Sequence, residues 1–260
     1  MMRLKIDASL VYYMAEPVDV LLTIEAAQMP DQKLIEDRLI VDGVGPLRAL
    51  DGEDRIGRRT WMTATGNFHA RYEAIVEVER RSISIDELPI AARRDLPAEV
   101  IPYLWPSRYC EADRFEAFVG REFPGPNHGS KILAMSHWIY EHLDYCSGSS
   151  DASTSAVDVF VSRQGVCRDF AHLMASFARA AGVPARLVSA YAWDLNPPDF
   201  HAVVEVWLAG EWYLVDPTEL APLDGMVRIA VGRDATDIAF MTIFGMADLV
   251  EQNVRVSQIG

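Results

Sequence analysis

The strongest constraint on the fold is a change in hydrophobic period along the chain. Up to about residue 85, apolar and polar side chains alternate, most clearly in residues 18–26 and 68–78. Such alternation predicts strands with one buried face. Turn-rich sequence such as residues 42–46 separates these runs. We therefore predict a small N-terminal β-rich, sandwich-like domain, which we assign to residues 1–95.

A connecting stretch rich in proline follows, from about Ser82 to Pro106. A proline has no backbone N–H and clashes with the preceding helical turn, so this stretch cannot form a long helix. We place the domain boundary within it, between residues 95 and 96, which assigns residues 96–260 to a second domain. The prolines concerned are Pro89, Pro97, Pro102 and Pro106.

Helical periodicity characterises the first half of the second domain. Apolar residues recur at intervals of three and four over residues 111–123 and 130–143, and again after Cys167. Gly182 and Pro184 are expected to end the helix that follows Cys167, because glycine and proline commonly stand just beyond a helix C-terminus.

Strand patterns then return to the chain. The runs predicted to form strands are residues 186–193, 201–208, 211–216, 227–231 and 238–244. Helices followed by a group of strands indicate an α+β fold. The predicted fold class is therefore α+β, with an N-terminal antiparallel β domain followed by helices packed on an antiparallel sheet.

Composition limits the possible partners and compartment. The net charge of −14 repels phosphate backbones, so no nucleic-acid partner is expected. No run approaches the roughly 20 apolar residues that cross a bilayer, and the N-terminus lacks the apolar core of a signal peptide, so no membrane association is expected. The three cysteines are far apart in the sequence, which argues against a disulfide framework. We expect a cytoplasmic protein, of an oligomeric state that the sequence leaves open.

Cys167 has the position of a nucleophile. It follows Gly165 and Val166 and begins a predicted helix. The N-terminus of a helix carries partial positive charge and unpaired N–H groups, which favour a thiolate and stabilise an oxyanion. This position alone does not identify Cys167 as a nucleophile, because a free cysteine is more commonly a buried core residue.

His201 and Asp216 are predicted to meet across a hairpin. His201 begins one predicted strand and Asp216 ends the next, with a turn near residues 209–210 between them. This arrangement suits an imidazole base oriented by a carboxylate, although a register slip of one residue would separate the two side chains. Singly, the histidine could be structural, and Asp216 before a proline could simply open a turn.

Several segments together resemble the bacterial transglutaminase-like family of cysteine peptidases, which has a papain-like core. The resemblance covers about residues 105–245, and the β-rich N-terminal segment resembles the region often joined to this core. The matching segments are the nucleophile segment 165–173, the helix exit 182–186, the histidine strand 199–206, the aspartate strand 210–218, and the flanking segments 106–110 and 227–245.

The resemblance implies Cys167 as the nucleophile, His201 as general base and then acid, and Asp216 as the group that orients His201. It implies cleavage or transfer of an acyl group at an amide bond of a peptide or protein, through a thioester on Cys167. Hydrolysis is favoured over transfer, and no cofactor or metal is expected. The alternative is a non-catalytic protein- or peptide-binding module with the same fold.

One residue differs from the family pattern, and the oxyanion side chain and a metal site stay open. The family often carries a tryptophan two residues after the histidine, where this chain has Val203. Trp138 and Gln164 are candidates for a side chain that would stabilise an oxyanion. A metal site is a further alternative, and its candidate ligands are His142, Cys146, Cys167 and His172.

Overall fold

The computed structural model describes residues 1–80, 83–125 and 127–259. Within these ranges the chain forms a six-stranded antiparallel sheet, a four-stranded antiparallel sheet, a two-stranded parallel ladder and five α-helices. The α+β fold class predicted from the sequence is confirmed. Ser82, where the connecting stretch was predicted to begin, lies outside the described residues.

Two long strands form the centre of the six-stranded sheet. They are β1 (Met2–Leu22) and β4 (Arg58–Val78), which pair over almost their whole length. Leu4, Ile6 and Tyr72 are fully buried, because alternate side chains of a strand point to the same face. The alternation in the sequence therefore predicted this burial correctly. Two further strands, β2 (Gln32–Val44) and β3 (Arg48–Asp51), pair with β4.

The C-terminal strands also belong to this sheet. β11 (Met241–Phe244) and β12 (Asp248–Gln258) pair antiparallel with β1. The division at residues 95 and 96 assigned both strands to the second domain, although their backbone hydrogen bonds join them to the N-terminal sheet. The division itself stays a prediction.

The predicted strand over residues 238–244 is wrong in its first part. Ile238 is the last residue of a short helix, α5 (Ala235–Ile238), and the strand begins only at Met241. The side chain of Asp234 caps this helix, because its carboxylate accepts a hydrogen bond from the N–H of Thr236 at 2.9 Å. The local cap overrides the apolar run that suggested a strand.

The helices form a layer around one buried helix, α4. Almost every side chain of α4 is buried, and the chain leaves it through Gly182, whose φ is +82°. Both predicted helical segments near residues 111–143 contain helices, although the first begins with a 3₁₀ turn at Ala112–Arg114. The elements are α1 (Glu116–Glu122), α2 (Ser130–His142), β5 (Asp144–Tyr145), α3 (Ala156–Ser162), β6 (Gln164–Gly165) and α4 (Cys167–Ala180).

The four-stranded sheet lies between the helices and the six-stranded sheet. One face packs against α4, and the other shares a hydrophobic core with the first sheet. Tyr191 marks this second contact: its ring stacks on Tyr72 with centroids 6.2 Å apart, and its hydroxyl donates to the carbonyl of Ile24 at 2.6 Å. The strand order is β10 (Met226–Gly232), β7 (Ala185–Ala192), β8 (Phe200–Leu208) and β9 (Glu211–Val215).

A chain of buried ion pairs connects the two sheets. Glu205 on β8 is fully buried, and its carboxylate accepts hydrogen bonds from Arg186 at 2.8 Å and Arg228 at 2.7 Å. Arg186 also pairs with Asp54 at 2.7 Å, and Arg228 pairs with Asp31. Each arginine therefore lies between two carboxylates, which compensates for its removal from water.

The connecting stretch contains short helical turns rather than a long helix, as its prolines predicted. Within the described residues of this stretch the helical segments are 3₁₀ turns at Arg93–Asp95 and Ala98–Leu104, the second of which includes Pro102. Across the described ranges, none of the helices has both the length and the apolar character required to span a membrane.

Candidate active site

Cys167 is the first residue of α4 and is partly exposed. The chain reaches it through Val166, which is extended with φ −113° and ψ 179°. A Cβ at Gly165 would lie only 2.7 Å from the Cβ of Asp169, so this close approach of loop and helix requires glycine. The N–H groups of the first helical turn have no partner within the helix and point toward the loop. Cys167 therefore lies where a helix N-terminus favours a thiolate.

A buried carboxylate fixes the backbone around Cys167. Asp169 is fully buried and accepts a hydrogen bond from the N–H of Val166 at 2.9 Å. It also accepts hydrogen bonds from the hydroxyl of Ser150 and from the guanidinium of Arg168, the latter at 3.2 Å. The carboxylate thus ties the residue before Cys167 and the loop before α3 to the same helical turn.

Replacing Asp169 by asparagine is expected to lower the free energy of unfolding by about 1–3 kcal/mol, because an amide cannot accept all these buried donors. The same substitution is expected to slow the alkylation of Cys167, since Val166 loses the hydrogen bond that orients it. Urea denaturation and mass spectrometry of alkylated peptides measure the two effects. Asp113→Asn, at an exposed position, is the control. Wild-type stability and alkylation in Asp169→Asn would contradict the role of this carboxylate.

His201 and Asp216 meet across adjacent antiparallel strands. Val204 pairs with Val215, so Asp216, which follows β9, lies diagonally across from His201 on the same face. The Nε2 atom of His201 is 2.8 Å from Oδ2 of Asp216. The other carboxylate oxygen accepts hydrogen bonds from the N–H and the hydroxyl of Thr218, at 2.9 and 2.7 Å. Both oxygens of Asp216 are therefore held, and the imidazole is oriented.

The second ring nitrogen of His201 faces the thiol of Cys167. Nδ1 is buried, and no described residue forms a hydrogen bond of normal geometry with it. The thiol of Cys167 lies close enough to raise the pKa of the ring. Burial opposes a charged imidazole, but the hydrogen bonds and charges of Asp216 and Cys167 outweigh burial and raise the pKa of His201 to about 10. The imidazolium form is thus favoured at neutral pH, beside the cysteine.

The structure brings Cys167, His201 and Asp216 together in the order that the sequence suggested. Their chemical roles stay a prediction. Val203, which stands where the family often has tryptophan, is fully buried in a core cluster together with Val188 and is therefore a packing residue.

Tyr145, which the sequence analysis did not identify, also lies at Cys167. The parallel ladder of β5 and β6 sets Tyr145 opposite Gly165, and its ring centroid is 5.9 Å from that of Phe170 in the first turn of α4. The tyrosine hydroxyl faces the backbone N–H and the thiol of Cys167. Burial and then the charge of Cys167 raise the pKa of Tyr145 to about 12. A single tyrosine outside any periodic run carries no signal in the sequence.

The two side chains considered for oxyanion stabilisation have other environments. The indole of Trp138 stacks on the ring of His142, with centroids 4.3 Å apart, and packs against Phe118 within the helical layer. The side chain of Gln164 is exposed, while its backbone belongs to β6. Neither environment supports the predicted role.

The four residues of the alternative metal site do not form one cluster. Across the described ranges, no three His, Cys, Asp or Glu side chains are arranged to hold a metal ion. His172 is buried, and its Nε2 accepts a hydrogen bond from the N–H of Ala235 at 3.1 Å. Burial lowers the pKa of His172 to about 3, so its ring is neutral. His142 instead stacks on Trp138, as described above.

Comparison with known proteins gives a family match over the candidate site. The model of the transglutaminase-like superfamily matches residues 119–217, which include Cys167, His201 and Asp216. The crystal structure of a "Putative Cysteine Protease" from Cytophaga hutchinsonii superposes with a TM-score of 0.93 at 36% sequence identity. That superposition covers 100% of this chain and 91% of the other chain.

Curated relatives match over shorter regions. An uncharacterized protein of Mycobacterium leprae is 32% identical over 150 residues, which are 52% of this chain and 52% of that protein. The protein-glutamine gamma-glutamyltransferase of Pseudomonas aeruginosa is 42% identical over 102 residues, 34% of this chain and 15% of that enzyme. The chain thus matches about half of the first relative's length and a smaller share of the second's.

Proposed function

We propose, since the chain belongs to the transglutaminase-like superfamily, that it is a cysteine enzyme acting on amide bonds. The observation that carries the proposal is the position of His201. Its Nε2 is bonded to Asp216 at 2.8 Å, and its Nδ1 faces the thiol of Cys167 at the start of a helix. A cysteine, an oriented imidazole and a carboxylate in contact form the arrangement that nucleophilic catalysis requires.

The proposed reaction has two steps. In the first, the Cys167 thiolate attacks the carbonyl carbon of an amide, and the imidazolium of His201 gives its proton to the departing amine. The product is a thioester on Cys167. In the second, water or an amine attacks the thioester and loses a proton to His201, which releases the acyl group and restores the thiolate–imidazolium pair.

We favour water as the acceptor, which makes the protein a protease or amidase. The support is the name of the Cytophaga hutchinsonii protein, whose structure aligns with the whole length of this chain. The Pseudomonas aeruginosa transferase matches over only 34% of this chain. We propose a peptide or protein substrate, no nucleic acid, no membrane association and a cytoplasmic location, which fit the net charge of −14 and the three free cysteines. A binding module with an inactive site is the second candidate.

The test of the proposed function requires no known substrate. The rate of alkylation of Cys167 by iodoacetamide is measured against pH, by peptide mass spectrometry, in the wild type and in His201→Ala. Cys110 and Cys146 serve as internal references. We expect Cys167 to react fast at pH values well below ~8.5, where an ordinary thiol is largely protonated. We expect His201→Ala to abolish this advantage. Slow alkylation that does not depend on His201, in a folded protein, would favour the binding module.

The raised pKa of His201 also predicts how Asp216 affects stability. A histidine whose folded-state pKa lies above its unfolded value contributes stability that is complete below the unfolded pKa of 6.5 and is lost as the pH rises toward about 10. The difference in free energy of unfolding between wild type and Asp216→Asn should therefore be largest near pH 6 and decrease steadily to pH 10. Urea denaturation across this range measures it. A difference that stays constant with pH would contradict an imidazolium held by Asp216.

A further inference from the structure

The position of Tyr145 relative to Cys167 is fixed by backbone pairing. Two hydrogen bonds hold the segment: the N–H of Asp144 donates to the carbonyl of Arg163 at 2.8 Å, and the N–H of Cys146 donates to that of Gly165 at 2.9 Å. They lock Tyr145 alongside the loop that leads directly to the nucleophile. The ladder therefore fixes the backbone of Tyr145, and with it the origin of the side chain, beside the nucleophile.

The ring of Tyr145 packs against a neighbouring ring, although much of the residue is exposed. The ring packs against Phe170, with centroids 5.9 Å apart, while 44% of the residue stays exposed. The hydroxyl is directed to the backbone N–H and the thiol of Cys167. The hydroxyl therefore lies beside the nucleophile, in a residue that is partly open to solvent.

The proposed reaction requires hydrogen-bond donors at this point. When the thiolate adds to a carbonyl carbon, the carbonyl oxygen becomes negatively charged, and donors already in place lower the energy of that state. The N–H of Cys167 is one such donor, because it has no carbonyl partner within the helix and faces the Tyr145 hydroxyl instead. An oxyanion can accept more than one hydrogen bond, so a second donor beside this N–H would stabilise it further. Trp138 and Gln164, the side chains suggested by the sequence, lie in other environments.

We propose that the Tyr145 hydroxyl is the second donor of the oxyanion hole, beside the backbone N–H of Cys167. This inference rests on the proposed function. The hydroxyl and the N–H contact each other in the structure, and the substrate carbonyl oxygen enters between them. As the oxygen gains charge, it accepts a hydrogen bond from each. The tyrosine proton is shared but not transferred, because a raised pKa keeps the phenol protonated at neutral pH.

The experiment compares two reactions of the same thiol. Acylation by p-nitrophenyl acetate passes through a tetrahedral oxyanion, whereas alkylation by iodoacetamide displaces iodide at a saturated carbon and forms none. Acylation is followed by p-nitrophenolate release and by mass spectrometry of the acetylated Cys167 peptide. Both reactions are measured in wild type and Tyr145→Phe. Tyr140→Phe, which removes an exposed hydroxyl from α2, is the matched control.

We expect Tyr145→Phe to slow the acylation of Cys167 by about 10²–10³-fold, as the loss of one oxyanion donor does in other enzymes. We expect its alkylation rate to change far less than its acylation rate, because alkylation forms no oxyanion, and retained alkylation shows that the variant keeps its folded site. Tyr140→Phe should match the wild type in both reactions.

The possible failures are distinguishable. If the wild type is acylated in a manner that depends on His201 but Tyr145→Phe is acylated equally fast, the inference is overturned and the proposed function stands. If Tyr145→Phe slows both reactions equally, Tyr145 acts on the thiol rather than on the oxyanion, which also overturns the inference. If wild-type Cys167 is not acylated at all, the proposed function fails and the inference fails with it.

Discussion

Replacing His201 by alanine is expected to lower kcat/KM for an acyl donor on the order of 10⁴-fold or more, as the removal of a triad base does in other enzymes. The structure supplies the reason: this one imidazole contacts both the carboxylate of Asp216 and the thiol of Cys167. Without it, Cys167 loses the imidazolium that favours its thiolate, and a leaving amine loses its proton donor. Steady-state hydrolysis of p-nitrophenyl acetate measures the loss of the thiolate and of the base that activates water, because its p-nitrophenolate leaving group needs no proton donor.

The controls for this substitution separate chemistry from folding. His137→Ala removes a histidine that is exposed on α2 and pairs with the similarly exposed Glu141, so its activity should equal that of the wild type. Asp216→Asn should have a smaller effect than His201→Ala, because Asp216 acts through the imidazole. Comparable activity of His201→Ala and His137→Ala would show that the cluster is not catalytic and would favour a binding module.

Replacing Glu205 by glutamine is expected to lower the free energy of unfolding by about 3–5 kcal/mol, which is the typical cost of removing one partner of a buried ion pair. Glu205 has no exposed surface and lies between Arg186 and Arg228. A glutamine of almost the same size would retain the packing, but two buried guanidinium groups would lose their common counter-charge. Denaturant titration followed by tryptophan fluorescence measures the loss.

A surface glutamate provides the matched comparison. Glu73 also pairs with an arginine, Arg71, but both side chains are substantially exposed, so Glu73→Gln should leave stability unchanged. The two arginines that contact Glu205 also pair with Asp31 and Asp54, which belong to the N-terminal part of the chain. Glu205→Gln should therefore also weaken the contact between the six-stranded and the four-stranded sheet. Protease cleavage in residues 1–80 before global unfolding would reveal that effect. Equal stability of the two variants would show that the buried network is not important for folding.

The local elements and the order of the candidate residues could be predicted from the sequence. Alternation predicted the burial of residues 68–78, and the spacing of apolar residues predicted α2 and α4 almost to their ends. These predictions succeeded because a strand or helix that packs one face against a core leaves its period in neighbouring residues. The order of Cys167, His201 and Asp216, each at the end of an element, was also visible.

The tertiary structure alone decided which distant residues meet. The pairing of Val204 with Val215 places His201 and Asp216 on one face, which a slip of one residue would have prevented. The ladder of β5 and β6 brings Tyr145 to the nucleophile, and β12 joins a sheet that begins at the other end of the chain. Register and long-range pairing depend on contacts between residues far apart in sequence, and the hydrophobic period of a segment contains no record of its partner.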